Sequence, residues 1–198
     1  MGTTSHEDQR PDAFDRSPSP IDPAATALAV IDCQERFRRC LVGGKLANVV
    51  RLIDAAHAAD MTVVVTQHCD INSDSVLSRH WQDDIVAGSD DWQLLPEVPV
   101  APDDLRVQDK HTYDAFMGTD LERCLRERDI VTLIVTGAVT NLCCETTSRS
   151  AFTREFDVVF VDDANGATDD AMHRATIDNL RFFGCRIMTT DQVIAAIR

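Results

Sequence analysis

Two kinds of hydrophobic pattern alternate along the chain. Short runs of consecutive apolar, often β-branched residues, as at 26–31, 61–66 and 131–135, have the form of strands buried on both faces. Between them lie stretches whose apolar residues recur at three and four. In 45–59 these are Leu46, Val49, Val50, Ile53 and Ala56, the spacing of one buried helix face. Further strands are predicted at 105–108, 157–161 and 186–189. Further helices are predicted at 119–127, from Asn141 onward, at 169–183 and at 191–197. Strand–helix–strand units imply parallel pairing with right-handed crossovers, so the expected class is α/β with a doubly wound parallel sheet.

Two stretches lack periodicity. Residues 1–23 are polar and contain Ser-Pro-Ser-Pro, which reads as a flexible N-terminal tail ahead of a single domain at 24–198. Residues 67–104 hold two tryptophans, three prolines and many acids; so long an irregular connection usually carries function or covers a site.

Composition narrows the function classes. A chain of 198 residues suits one full core. Its net charge of −14 disfavours nucleic acid and anionic lipid as partners. No apolar run approaches the roughly 20 residues of a membrane span, and no secretory signal is evident. The seven cysteines form no C-x-x-C pair, so they are expected to be reduced and the protein cytoplasmic. Cys33, Cys40, Cys69, Cys124 and Cys185 are expected to be packing residues. No G-x-G-x-x-G is present, which leaves a dinucleotide site unsupported.

Chemistry gathers at three predicted strand ends. The run 131–145 turns at Gly137 and starts a helix that Thr140 or Asn141 can cap, placing Cys143 in its first turn. Unpaired N–H groups and the helix dipole favour a thiolate there. Asp32 follows the first strand and Lys110 the third; in a parallel sheet such ends share one edge. Lys110 is expected to lower the pKa of Cys143, Asp32 to shuttle protons, and the amides near Cys143 to hold an oxyanion.

The segments AVIDCQERF (29–37), KHTYDAFMGTDL (110–121), TGAVTNLCCETTSRSAF (136–152) and VVFVDDA (158–164) resemble the isochorismatase-like cysteine hydrolases, in the same order. The resemblance implies a three-layer, six-stranded parallel sheet with helices on both faces. It makes Asp32, Lys110 and Cys143 a catalytic triad, with Cys143 rather than Cys144 as nucleophile. It places a cis peptide at Val139–Thr140 and an oxyanion hole on the backbone of Val139, Thr140 and Cys143. It implies cleavage of a C–N bond in a small amide or ureido (carbamoyl) compound through a thioester. The alternatives are isochorismatase-type vinyl-ether hydrolysis, whose enzymes often lack the cysteine, or a catalytically idle binding member of the fold. A homodimer or homotetramer is expected.

Nicotinamidase-like members carry Asp-x-His and a later His as metal ligands. Here His68, Cys69 and Asp70 reverse the first two types and His80 follows, so these are weak metal candidates and neither metal nor other cofactor is expected. Gln34, Phe37, Trp81, Tyr113 and Phe116 are the candidate substrate-binding residues. His111 is expected to point away from the site.

Overall fold

A computed structural model describes residues 20–70 and 72–197. Its centre is one all-parallel sheet of six strands in the order β3-β2-β1-β4-β5-β6. The strands are β1 (Thr26–Ile31), β2 (Thr62–His68), β3 (Leu105–Lys110), β4 (Thr132–Ala138), β5 (Asp157–Gly166) and β6 (Arg186–Met188). The helices are α1 (Lys45–Ala58), α2 (Val76–Trp81), α3 (Leu121–Arg126), α4 (Glu145–Thr153), α5 (Asp170–Phe183) and α6 (Thr190–Ala196).

Alternation along the strands decides the layering. Leu28 and Val30 of β1 pack with Val49, Leu52 and Ile53 of α1 and Val193 of α6. Ala27, Ala29 and Ile31 face the other way, toward Leu121 and Leu125 of α3, Ala151 of α4 and Ile177 and Leu180 of α5. Every residue of β1 and β4 is buried, as strands covered on both faces must be. β3 lies at the edge, and only Val107 and Lys110 of it are buried.

Helix starts follow local chemistry. Asp169 accepts from the amides of Ala171 and Met172 at the start of α5, and Thr189 with Gln192 forms a capping box on α6. The predicted helix at 119–127 is shorter: Thr119 lies before it, its hydroxyl donating to Ala115 O and accepting from Leu121 N, and Asp120 takes the cap position without a side-chain hydrogen bond.

The chain runs from β1 outward through β2 to β3, then returns to β4 on the other side of β1. A crevice opens at such a reversal, outside the carboxyl ends of β1 and β4. Close approach of these two strands demands glycine at 137: its φ is +122°, and a Cβ there would lie 2.1 Å from Ile31 O. The strands also run past their predicted ends. β3 continues to Lys110 and β5 to Gly166, since pairing partners satisfy even polar residues such as Lys110, opposite His68, and Asn165, opposite Gly137.

Three expectations change. Residues 21–23 are not tail: Ile21 is buried, bridges Ile197, and donates its N–H to Ala196 O at 3.0 Å. One apolar residue in a polar segment shows no period, so pattern could not reveal it. The tail at 1–19 lies outside the described residues. The long connection 67–104 contains α2, capped by Ser75. The cis peptide is Ala138–Val139, one bond earlier than expected, directly after the last paired residue of β4. Among the described residues no helix is long and apolar enough to cross a membrane.

Candidate active site

The sheet edge does bring three distant side chains together. Lys110 Nζ lies 2.6 Å from Asp32 Oδ2 and 3.4 Å from Cys143 Sγ. Asp32 and Lys110 are fully buried, and Cys143 is 4% exposed. Asp32 sits at φ +45°, the left-handed conformation that Asp tolerates better than most residues, just past β1. Thr66 of β2 holds it twice, accepting from its amide at 3.1 Å and donating to Oδ1 at 2.6 Å. Thr66 is absent from the candidates read from the sequence, although it is the last residue of the predicted strand 61–66, and carboxyl ends of predicted strands are what singled out Asp32.

The electrostatics are those of a buried ion pair beside a neutral thiol. Burial pushes the Asp32 carboxyl up, but the Lys110 ammonium and the hydrogen bonds from Lys110 and Thr66 outweigh it and leave the carboxyl below its usual range. Burial pulls Lys110 down, and Asp32 and Cys143 together hold its pKa above the ordinary lysine value. Cys143 differs from expectation. Burial, with the charge of Asp32, pushes its thiol up to about 12, outweighing the pull of Lys110. Sequence reasoning counted the cation and the helix start but not complete desolvation.

Val139 O accepts from the amides of Leu142 and Cys144, closing the turn Thr140–Cys144 that precedes α4. This π-helical turn replaces the predicted capped start: neither Thr140 nor Asn141 caps with its side chain. Thr140 Oγ1 instead meets His173 Nδ1 at 3.0 Å. Cys144 is wholly buried in the core on the α4 side of the sheet.

Above Cys143 opens a cavity of about 170 Å³. Phe37, Trp81 and Tyr113 line it, with Val139, Leu142 and Cys143 from the turn. Trp81 Nε1 donates to Tyr113 Oη at 2.8 Å, joining α2 to the segment after β3. Arg36, Arg39, Cys40, Leu77, Ile85 and Thr168 also line the cavity; they come from short helical turns and connections that carry no periodic signal. Arg36 is engaged with Asp83 and Asp91.

Two candidate substrate residues lie elsewhere. Gln34 is fully buried as a clamp: its Nε2 donates to His68 O and Trp92 O, and its Oε1 accepts from His68 N. Phe116 stacks on Phe156 in the core at 5.9 Å. His111 turns back to Asp109 O and packs over Gly118.

The metal candidates do not make a ligand set. His68 Nε2 is 3.5 Å from Asp70 Oδ1, while Asp70 Oδ2 accepts from Ile85 N at 2.8 Å. His80 packs edge-on against Trp81 instead of joining them. Among the described residues no three His, Cys, Asp or Glu side chains are grouped to hold a metal.

With this geometry in view, residues 26–192 match the model of the isochorismatase domain. The chain belongs to the isochorismatase family. It is 34% identical over 173 residues to nicotinamidase 3 of Arabidopsis thaliana, covering 84% of this chain and 86% of that one. It is 29% identical over 201 residues to the ureidoacrylate amidohydrolase of Methylobacterium radiotolerans, covering 84% and 78%. Its fold matches the crystal structure of a cysteine hydrolase from Pseudomonas syringae pv. phaseolicola with a TM-score of 0.80 at 30% identity, covering 89% and 94%. The six-stranded parallel sheet is thus that of the isochorismatase family of hydrolases.

Proposed function

We propose that this isochorismatase-family protein is a cysteine hydrolase that cleaves the C–N bond of a small amide or ureido compound. The observation that carries the reading is Lys110 Nζ bridging Asp32 and Cys143 beneath a cavity that Cys143 lines. The amidohydrolases among its relatives support it.

Cys143 Sγ attacks the carbonyl carbon as its proton passes to Asp32. Because the free thiol is neutral, proton removal and carbon–sulfur bond formation must be coupled, and a carbonyl bound in the cavity makes this possible. The oxyanion is held by the amides of the turn at Val139, Thr140 and Cys143. Asp32 then gives its proton to the departing nitrogen, and ammonia or an amine leaves a thioester. Water resolves the thioester: its hydroxyl goes to the carbonyl carbon and its proton, through Asp32, back to sulfur. Lys110 keeps Asp32 anionic between these transfers.

The test is an ammonia-release screen over amides and ureido acids, with Cys143→Ala as control. Turnover in the native protein and its loss by at least about a thousandfold in Cys143→Ala, as nucleophile removal from such units produces, is the expected result. Ammonia release in Cys143→Ala equal to that of the native protein would remove Cys143 as the nucleophile and refute thioester chemistry. Hydrolysis of a vinyl ether that survives Cys143→Ala would support the vinyl-ether alternative. No turnover on amides, ureido compounds or vinyl ethers would leave the idle binding role.

A further inference from the structure

We infer that His173 is a positioning residue, fixing the oxyanion turn through the hydroxyl of Thr140; the inference rests on the hydrolase reading above. Thr140 is fully buried and opens the turn that ends at Cys143 and Cys144. Its Oγ1 is 3.0 Å from Nδ1 of His173 on α5, and His173 Nε2 is 2.8 Å from Oδ1 of Asp162 on β5. One hydrogen-bonded chain therefore joins β5, α5 and the turn.

The roles within the chain follow from donor arithmetic. The Asp162 carboxylate can only accept, so the Nε2 of a neutral ring carries the proton and Nδ1 presents a lone pair. The Thr140 hydroxyl must then donate to Nδ1. Threonine is stiff about χ1, so a fixed Oγ1 fixes the backbone at 140 and with it the direction of the neighbouring amides. Neither Asp162 nor His173 lines the cavity above Cys143. Their action on the reaction runs through Thr140. Without the ring, a buried hydroxyl loses its acceptor and the turn relaxes.

Two reactions of one sulfur isolate this role. Acylation of Cys143 by 4-nitrophenyl acetate, read as the nitrophenolate burst, passes through an oxyanion; alkylation by iodoacetamide does not. Thr140→Val and His173→Ala should each slow acylation about tenfold, the scale of one lost hydrogen bond. Half-saturation and the alkylation rate should stay within about twofold, because neither substrate binding nor the thiol changes. Thr140→Ser, which keeps the hydroxyl but not the stiffness about χ1, should recover part of the acylation rate lost in Thr140→Val. The double variant should be no slower than the slower single one, since both cut the same link.

If Thr140→Val fails to fold, His173→Ala, at a helix position with a partly exposed ring, carries the test alone. Native-rate acylation in His173→Ala overturns the proposal, as do equal losses of acylation and alkylation or multiplied effects in the double variant. A native protein that is acylated but releases no ammonia refutes the C–N reading while the relay is still measured. A native protein not acylated at Cys143 refutes both.

Discussion

At the scale of single residues, Lys110 and Asp32 cannot be treated separately. Each is wholly out of water, and removing one partner of a buried pair leaves an uncompensated charge, at a cost of about 3–5 kcal/mol. Cys143 is held protonated by burial and by Asp32, which gives an unusual expectation for Asp32→Asn. Hydrolysis should be lost with the proton carrier. The thiol, relieved of the anion and still beside Lys110, should react faster with iodoacetamide at pH 8, by about tenfold for each unit its pKa falls. An Asp32→Asn protein alkylated no faster than the native one would remove Asp32 from the set of groups acting on the sulfur. The identity of these residues was legible because strand ends in a parallel sheet share an edge. The thiol's protonation was not, since depth of burial depends on every layer packed around it. Gln34 shows the same limit: a polar residue two positions from Asp32 reads as a substrate contact, and only the positions of His68 and Trp92 reveal a clamp.

At the scale of elements, the β1–β4 junction sets the site. Gly137→Ala should destabilise the fold by several kcal/mol, because Cβ and Ile31 O cannot share space and φ is positive; urea unfolding measures it. The other element of consequence is α2, which Trp81 ties to Tyr113 over the cavity. Trp81→Phe keeps an aromatic ring but removes the N–H and part of the indole surface, so KM should rise a few-fold with kcat little changed, the signature of lost ground-state binding. A change in kcat alone would place Trp81 in the chemistry instead. Strands and long helices announced themselves through their periods. This six-residue helix did not, because one and a half turns within an acidic connection present too few apolar positions to repeat.

At the scale of the whole molecule, pH should act on stability from both sides. Asp32, with its folded pKa lowered, contributes stability above the unfolded value of 3.8 that is lost as pH falls through the folded value. Lys110, raised, contributes stability in full below 10.5 that is lost as pH rises through its folded value. Cys143 behaves similarly between 9.0 and about 12. Chemical denaturation across pH should therefore show a plateau near neutrality with an acid loss and an alkaline loss, and Cys143→Ala should delete part of the alkaline one. An alkaline limb unchanged in that variant would contradict the assigned thiol.

The bridge between Ile21 and Ile197 reaches beyond catalysis. Because the two ends of the folded unit leave it side by side, a short peptide could splice them and the backbone be reopened at an exposed bend such as Gly88. The resulting circular permutant should keep the sheet and its reactive sulfur. It would also make the turn at Gly88, between α2 and β3, a graft point for sensors or fusion partners.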